Sequence, residues 1–398
     1  MRIICAIVAA ICTIILCSCA TQESIHPPLS IERPPLPPEA SFNKTAGRGG
    51  VLLITLLLKD GATLPFMLDT GAPATILDES LDSRLGKCLG TNQFGYRWFG
   101  TESVRSYKAP KLCMGGVKLL TCDSVMTGDL TRILPNHQIM GILGMDCLRR
   151  YCIQLDFAAN RIRFLDPDHL DTNDLGNAFP LTIFAGNAST RGNMFGQRKA
   201  RFCVDTGCNV DGMLKPTMLR REMRKQTVGS AGQIKSPAGA TVNQVFFDKF
   251  LFNDNACYHD VNLVDGVYGN IIGLHFLARH LVTLDFPRQT MYLQRWSDES
   301  FVDEAREFLK GLKDKGQLPG LSKGARGHFY NDWLLVKPSK SGRPQVYPVS
   351  RLFYFWTASN SFRYNYTVVL ASQDSEWKLQ RAWRTDANGK MIEEYPVP

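Results

Sequence analysis

No stretch of the chain reads G-x-S-x-G and none reads as a P-loop, so neither a serine-hydrolase elbow nor a phosphate cradle is in view. No C-x-x-C pair occurs and no His/Cys cluster has zinc spacing, so no metal site is expected. The basic residues form no long run. Lys and Arg number 46 against 37 Asp and Glu, for a net charge of +9, but they are scattered, with only local doublets such as Arg220-Arg221. Such a surface attracts anionic surfaces weakly and carries no nucleic-acid motif. A membrane-spanning run is also missing. The apolar stretch from Ile3 to Leu16 falls short of the roughly 20 residues that a spanning helix needs. Behind Arg2, it has the length of a signal-peptide core.

That stretch ends in "LCSCA", which resembles the lipobox of bacterial lipoproteins, with Leu16 three residues before Cys19 and the small Ser18 between them. Residues 1–18 are then expected to leave as a signal peptide, and Cys19 to carry lipid. The protein would be exported and anchored to a membrane of the bacterial envelope, facing periplasm or exterior, rather than spanning it. Residues 19–45 are Pro-rich ("HPPLSIERPPLPPEA") and read as a semi-rigid tether. Of 12 cysteines, Cys5, Cys12 and Cys17 depart with the signal and Cys19 is acylated, which leaves eight. Export permits some of these to oxidise; buried free thiols are the alternative, and spacing does not choose a pairing.

A length of 398 residues, 44% apolar and 21% charged, suits a globular protein of two or three domains. Its organisation shows in a repeat. "PFMLDTGAPATIL" starts at Pro65 and "RFCVDTGCNVDGML" at Arg201, so an apolar strand delivers Asp-Thr-Gly twice. In the first copy, "VLLITLLL", the turn "KDGA" and "TLPFML" make a hairpin that ends at Asp69. In the second, "FPLTIF", a Gly- and Asn-bearing connection and "ARFCV" lead into Asp205. Farther on, "GILGMDCLRRYCIQLDF" and "NIIGLHFLARHLVTLDF" coincide at seven positions without a gap, Gly144 matching Gly273 and Arg150 matching Arg279. Each copy therefore runs hairpin, Asp-Thr-Gly turn, middle strands, Ile-Leu/Ile-Gly, short helix and a strand closing in Leu-Asp-Phe.

On these motifs each copy resembles a retropepsin-like aspartic protease unit. Asp69-Thr70-Gly71-Ala72 with Ile142-Leu143-Gly144 fill the family's two signature places, and Asp205-Thr206-Gly207 with Ile271-Ile272-Gly273 fill them again. The resemblance implies a mostly β fold of two acid-protease lobes in one chain, a pseudo-dimeric monomer as in pepsin-like enzymes. It also implies a shared site in which Asp69 and Asp205 hydrolyse peptide bonds while Thr70 and Thr206 lock the turns together. Two carboxyls a few ångströms apart cannot both ionise readily, so one serves as base while the other serves as acid. Gly71 and Gly207 let the turns approach each other. The chemistry requires no metal or organic cofactor, and the expected partner is a peptide or protein substrate.

"FGYRWFGTESVRSY", with Tyr96, Trp98, Phe99 and Gly100, is the candidate flap, and "VGSAGQIKSPAGATV" is a second mobile hairpin. Two exposed loops without a catalytic part are the plainer reading. Cys208 departs from the small residue usual after the motif, and the text beyond it superposes on the first copy only with a shift. A catalytically inactive peptide-binding or envelope scaffold protein with the same fold is thus the alternative to an endopeptidase. A third reading makes the C-terminal region an envelope assembly factor. Asp78, Asp146, Asp156 and Asp285 read as scaffold carboxylates, and His137, His275 and His280 as surface or packed residues.

The expected boundaries are 46–168 for lobe 1, 176–295 for lobe 2 and 296–398 for a small C-terminal α+β domain. In that last part Phe301, Ala305, Phe308, Leu309 and Leu312 have helical spacing, ended by Gly316 and Pro319. Strand-like runs follow, the last two joined by "DANG".

Overall fold

Along Thr63–Leu68 the buried Leu64, Phe66 and Leu68 alternate with less buried neighbours, the two-residue period of a strand with one face in the core. It pairs antiparallel with Leu53–Leu57. In the turn between them Asp60 accepts from the Ala62 N–H at 3.1 Å and Gly61 takes a φ of +83°. On its other side the strand runs parallel to Gly141–Leu143, which is flanked antiparallel by Ile76–Asp78. Ser124–Gly128 and the hairpin of Gly90–Tyr96 and Gly100–Lys108 follow on that side, and Cys113–Met114 with Val117–Lys118 lies beyond Leu53–Leu57 on the other.

The coordinates are a computed structural model that describes residues 34–47, 50–96, 100–132, 138–195, 197–235, 241–252, 256–266, 269–295, 301–317, 327–331, 345–356, 363–373, 376–385 and 390–397. The signal-like segment and Cys19 lie outside them, as do Trp98, Phe99 and His137. The chain divides into Met1–Pro35, almost wholly outside the described residues, and Leu36–Pro398, which packs as one unit. Among the described residues no helix is long and apolar enough to cross a membrane.

The same strand order recurs downstream. Gln197–Asp205 pairs antiparallel with Asn187–Met194 and parallel with Ile271–Gly273, followed by Gly212–Leu214, Ala256–Asp265, Thr241–Phe252 and Thr227–Lys235. Leu53 faces Met67 in one unit and Ser189 faces Cys203 in the other, so both strands are offset by 136 residues, as Asp69 and Asp205 are. Here the structure corrects the sequence reading. "NASTRGNM", which reads in the sequence as part of a connection, is itself the strand that pairs with the Asp205 strand. Its polar residues disguise it, because Ser189 and Thr190 are buried by ladder hydrogen bonding rather than by apolar character.

The two Leu-Asp-Phe strands join the units. Cys152–Asp156 runs antiparallel to His280–Asp285 with Gln154 opposite Thr283, and the Gln154 amide donates to the Thr283 hydroxyl at 3.1 Å. Asp156 opposite Leu281 and Cys152 opposite Asp285 lie symmetrically about that pair, which places the pseudo-twofold axis there. Asp156 and Asp285 each cap the following turn, accepting from Ala159 and Arg288. Outside them lie Arg161–Leu165 with Ala40–Ser41 on one side and Thr290–Arg295 with Asn177–Phe184 on the other. The tether expected to run to residue 45 therefore gives way earlier. Ala40 and Ser41 are ladder residues, and Phe42 is buried with its ring centroid 5.3 Å from that of Phe157.

Among the described residues the strands form sheets of 13, 9 and 5 members, giving a mostly β molecule with two acid-protease-like lobes and a small C-terminal domain. One apolar core runs through both lobes. In lobe 2 it centres on Phe195, with Phe202, Phe250 and Phe276 at ring-centroid distances of 6.0, 5.7 and 5.1 Å. Each such edge-on pair adds about 0.5–1.5 kcal/mol beyond area burial. In the C-terminal part the helix Phe301–Asp314 buries Leu309 and Leu312 and packs on Arg363–Gln373 and Glu376–Thr385, strands of an antiparallel sheet. Gly316, with a φ of +71°, follows the helix. Asp386–Gly389 lie outside the described residues, but the strands that flank them do pair. Cys88, Cys113, Cys122, Cys147, Cys152 and Cys208 are free thiols.

Candidate active site

Each Asp-Thr-Gly turn is held from behind. The Asp69 N–H donates to Leu143 at 3.0 Å, and Asp205 lies opposite Gly273 in the parallel ladder. The chain after each turn folds back over the Ile-Leu/Ile-Gly motif, where Met145 donates to Ala72 at 2.8 Å and Leu274 to Cys208 at 2.7 Å. That crossing explains the motif glycines. A Cβ on Gly144 would stand 3.0 Å from the Ala72 carbonyl oxygen and one on Gly273 2.8 Å from that of Cys208, with other backbone atoms closer still.

Thr70 and Thr206 interlock across the axis, both fully buried. The Thr70 N–H donates to the Thr206 hydroxyl at 3.0 Å while that hydroxyl donates to Leu68 at 2.8 Å. Reciprocally, the Thr206 N–H donates to the Thr70 hydroxyl at 3.1 Å, and that hydroxyl donates to Val204 at 2.6 Å. Every donor and acceptor in this exchange belongs to the turn or to the strand that delivers it, so the two turns hold each other at a set distance.

The half-buried carboxyls of Asp69 and Asp205 meet in this frame. Each is anchored by the N–H of its own motif glycine, Gly71 to Asp69 at 2.7 Å and Gly207 to Asp205 at 2.9 Å, and each lies over the glycine of the opposite unit. A Cβ on Gly207 would stand 2.6 Å from the Asp69 carboxyl carbon. Burial first, then the Asp205 charge, with a hydrogen bond between the two carboxyls added, hold the Asp69 carboxyl well above the usual carboxylate range; the Gly71 and Ala72 N–H groups oppose this. The pair titrates as a unit. Two carboxyls this close disfavour double ionisation.

Cys208 is buried and packs against Cys203 and Ile271. Burial and then the nearby Asp205 push its thiol well above its ordinary value, so it stays neutral. The loop beyond it differs from its counterpart. In lobe 1 the Thr75 hydroxyl donates to Asp146 at 2.7 Å. His275 stands at the position of Asp146, two residues past the motif glycine, and its Nδ1 lies 3.1 Å from Asp211. Arg279 lies 3.0 Å from the same carboxyl, the Asn262 N–H donates to it at 2.7 Å, and Arg279 also donates to the His259 carbonyl at 2.7 Å. Burial raises the Asp211 pKa, but Arg279 and His275 outweigh it and leave the group below its ordinary value. This buried network was not read from the sequence. The acid has moved from the helix to the loop, so matching the two copies position by position hides it.

The candidate flap residues Tyr96 and Gly100 face each other at the end of a hairpin, and Val228 lies within the paired strands of the second, opposite Phe247. Of the expected scaffold carboxylates, Asp78 accepts from Ser80 and Leu130 in lobe 1. His275 and His280 are packed, not exposed. Among the described residues no group of His, Cys, Asp and Glu is placed to hold a metal.

A family model described as aspartyl protease matches residues 54–147, which cover the first Asp-Thr-Gly turn and its Ile-Leu-Gly motif. No curated protein matches the chain.

Proposed function

We propose that the protein is an aspartic endopeptidase whose single active site is the Asp69/Asp205 dyad, with one carboxyl supplied by each lobe. What carries this reading is the contact between the two carboxyls across the interlocked threonine turns, with the Asp69 pKa raised well above the ordinary carboxylate range by burial and the Asp205 charge. The ionised carboxylate takes a proton from a water lying between the two groups as that water attacks the peptide carbonyl. The protonated carboxyl donates to the carbonyl oxygen, and a proton then passes to the leaving nitrogen. The hairpins ending at Tyr96/Gly100 and at Lys235/Thr241 serve as flaps that close over an extended peptide and exclude water.

Asp69→Asn and Asp205→Asn each lose turnover of a denatured protein substrate, with folded spectra unchanged, and a pepstatin-type inhibitor blocks the native protein. Turnover by either variant at the native rate refutes the shared-proton centre. Saturable peptide binding without cleavage at any pH would favour a binding scaffold instead.

The site also operates at a membrane in this proposal, held there by a lipid on Cys19 and the Pro-rich segment after it, a reading that rests on "LCSCA". Metabolic labelling with radioactive palmitate marks the native protein, and equal labelling of Cys19→Ser removes the anchor from the proposal.

A further inference from the structure

We infer that Asn187 selects, in the half of a bound peptide that lies against lobe 2, a neutral side chain that donates a hydrogen bond: an amide or a hydroxyl. The inference rests on the reading of the dyad as a proteolytic centre.

Side chains two residues apart on a strand share a face. Met67 therefore lies on the same face as Asp69, and Cys203 and Arg201 on the same face as Asp205. Ser189 faces Cys203, and the same register carried two residues further sets Asn187 level with Asp205. The neighbours of Asn187 lead to the opposite turn. The Ala188 N–H donates to Thr70 at 3.2 Å, and a Cβ on Gly186 would press on Pro73 at 2.6 Å. Asn187 thus stands on the dyad-bearing face, beside the other lobe's catalytic loop.

The pseudo-twofold axis supplies a control within the molecule. The 136-residue offset relates Asn187 to Val51, Ser189 to Leu53 and Cys203 to Met67. In lobe 1, Val51, Met67, Ile76 and Ile142 form that wall as a buried apolar cluster. In lobe 2 the counterpart cluster holds Cys203, Cys208 and Ile271, with Val210 and Met213 packed against it, and Asn187 and Ser189 stand where the first lobe has Val and Leu. The two walls therefore offer different chemistry to the two halves of a peptide.

The Asn187 side-chain oxygen is buried and has no hydrogen-bond partner, in a residue only 7% exposed. A buried acceptor left unmade costs about 1–3 kcal/mol, and its retention calls for an explanation. A donor arriving with the substrate supplies one. Charge narrows the choice of donor. The Arg201 guanidinium lies on this face, 3.5 Å above the exposed ring of Phe184, and Phe184 is the residue paired with Asn187. A fixed cation there disfavours Lys and Arg in the substrate and leaves Gln, Asn, Ser and Thr, with the Phe184 ring to cover an aliphatic stem.

The test profiles cleavage of a peptide library by native protein, by Asn187→Val, which restores the lobe 1 residue, and by Asn187→Asp. Binding of the same peptides to Asp69→Asn forms is measured in parallel by fluorescence anisotropy. The native protein is expected to favour amide or hydroxyl side chains at one subsite over apolar ones of similar size by about threefold to tenfold, the worth of one neutral hydrogen bond. Asn187→Val loses that preference, and Asn187→Asp shifts it towards Lys and Arg. Peptides cleaved with the same preference by all three proteins overturn this inference and leave the proteolytic reading standing. A native protein that neither cleaves nor binds any peptide overturns both.

Discussion

Replacing Thr206 by Val tests whether the interlocked turns hold the dyad together. Valine keeps the shape and removes the hydroxyl, which accepts from the Thr70 N–H at 3.0 Å and donates to the Leu68 carbonyl at 2.8 Å. The site is fully buried, so water cannot replace either partner. Each orphaned group costs about 1–3 kcal/mol, and the pair about 2–6 kcal/mol, a large part of the 5–15 kcal/mol typical of a folded domain. Thr206→Ser retains the hydroxyl and loses one methyl, about 1 kcal/mol. Urea denaturation followed by fluorescence should therefore show a large fall in midpoint for the Val form at unchanged slope, and a small one for the Ser form. Where the Val form still folds, kcat falls more than KM rises, because the carboxyls lose their set separation while the peptide-binding walls remain. A Val form within about 1 kcal/mol of native stability, or a Ser form as unstable as the Val form, refutes the reasoning.

His280 makes lobe 2 acid-sensitive. Burial first, with Arg295 and Arg279 adding to it, lowers its pKa from 6.5 to about 3, and it stays neutral between the Phe276 carbonyl and the Tyr258 hydroxyl. A depressed His pKa means that the unfolded chain binds the extra proton, so this contribution is present above pH 6.5 and lost progressively as pH falls towards about 3. Between those limits His280→Leu should flatten the stability-against-pH slope by about 1.4 kcal/mol per pH unit, measured by urea titration at several pH values; an unchanged slope refutes the assignment. Asp211→Asn leaves Arg279 buried without its counter-charge and should cost about 3–5 kcal/mol, read as a fall in urea midpoint. A loss below about 1 kcal/mol would mean that water reaches the pair.

Much of this architecture is legible in the chain because it is local. Thr63–Leu68 reads as a strand from its alternation, the Asp-Thr-Gly turns read from their glycines, and the second strand-and-helix set reads from its ungapped agreement with the first. Asn187–Met194 was missed because polar residues buried by backbone pairing leave no apolar period. Asp211 was missed because its meaning lies in His275 and Arg279, over 60 residues away. The start of the folded region was set too late because Ala40 and Ser41 become a strand only when Arg161 and Ile162 arrive beside them.

The sequence alone determined that a mostly β unit occurs twice and that each copy ends its strand in an aspartate, because periodicity and turn chemistry act over a few residues. Only the tertiary structure decided that Asp69 and Asp205 share one space, that Thr70 and Thr206 exchange hydrogen bonds, and that the two flanking walls differ. Contacts between residues 136 apart leave no trace in local composition. They arise when the Leu-Asp-Phe strands pair about Gln154 and Thr283 and carry both turns to one axis.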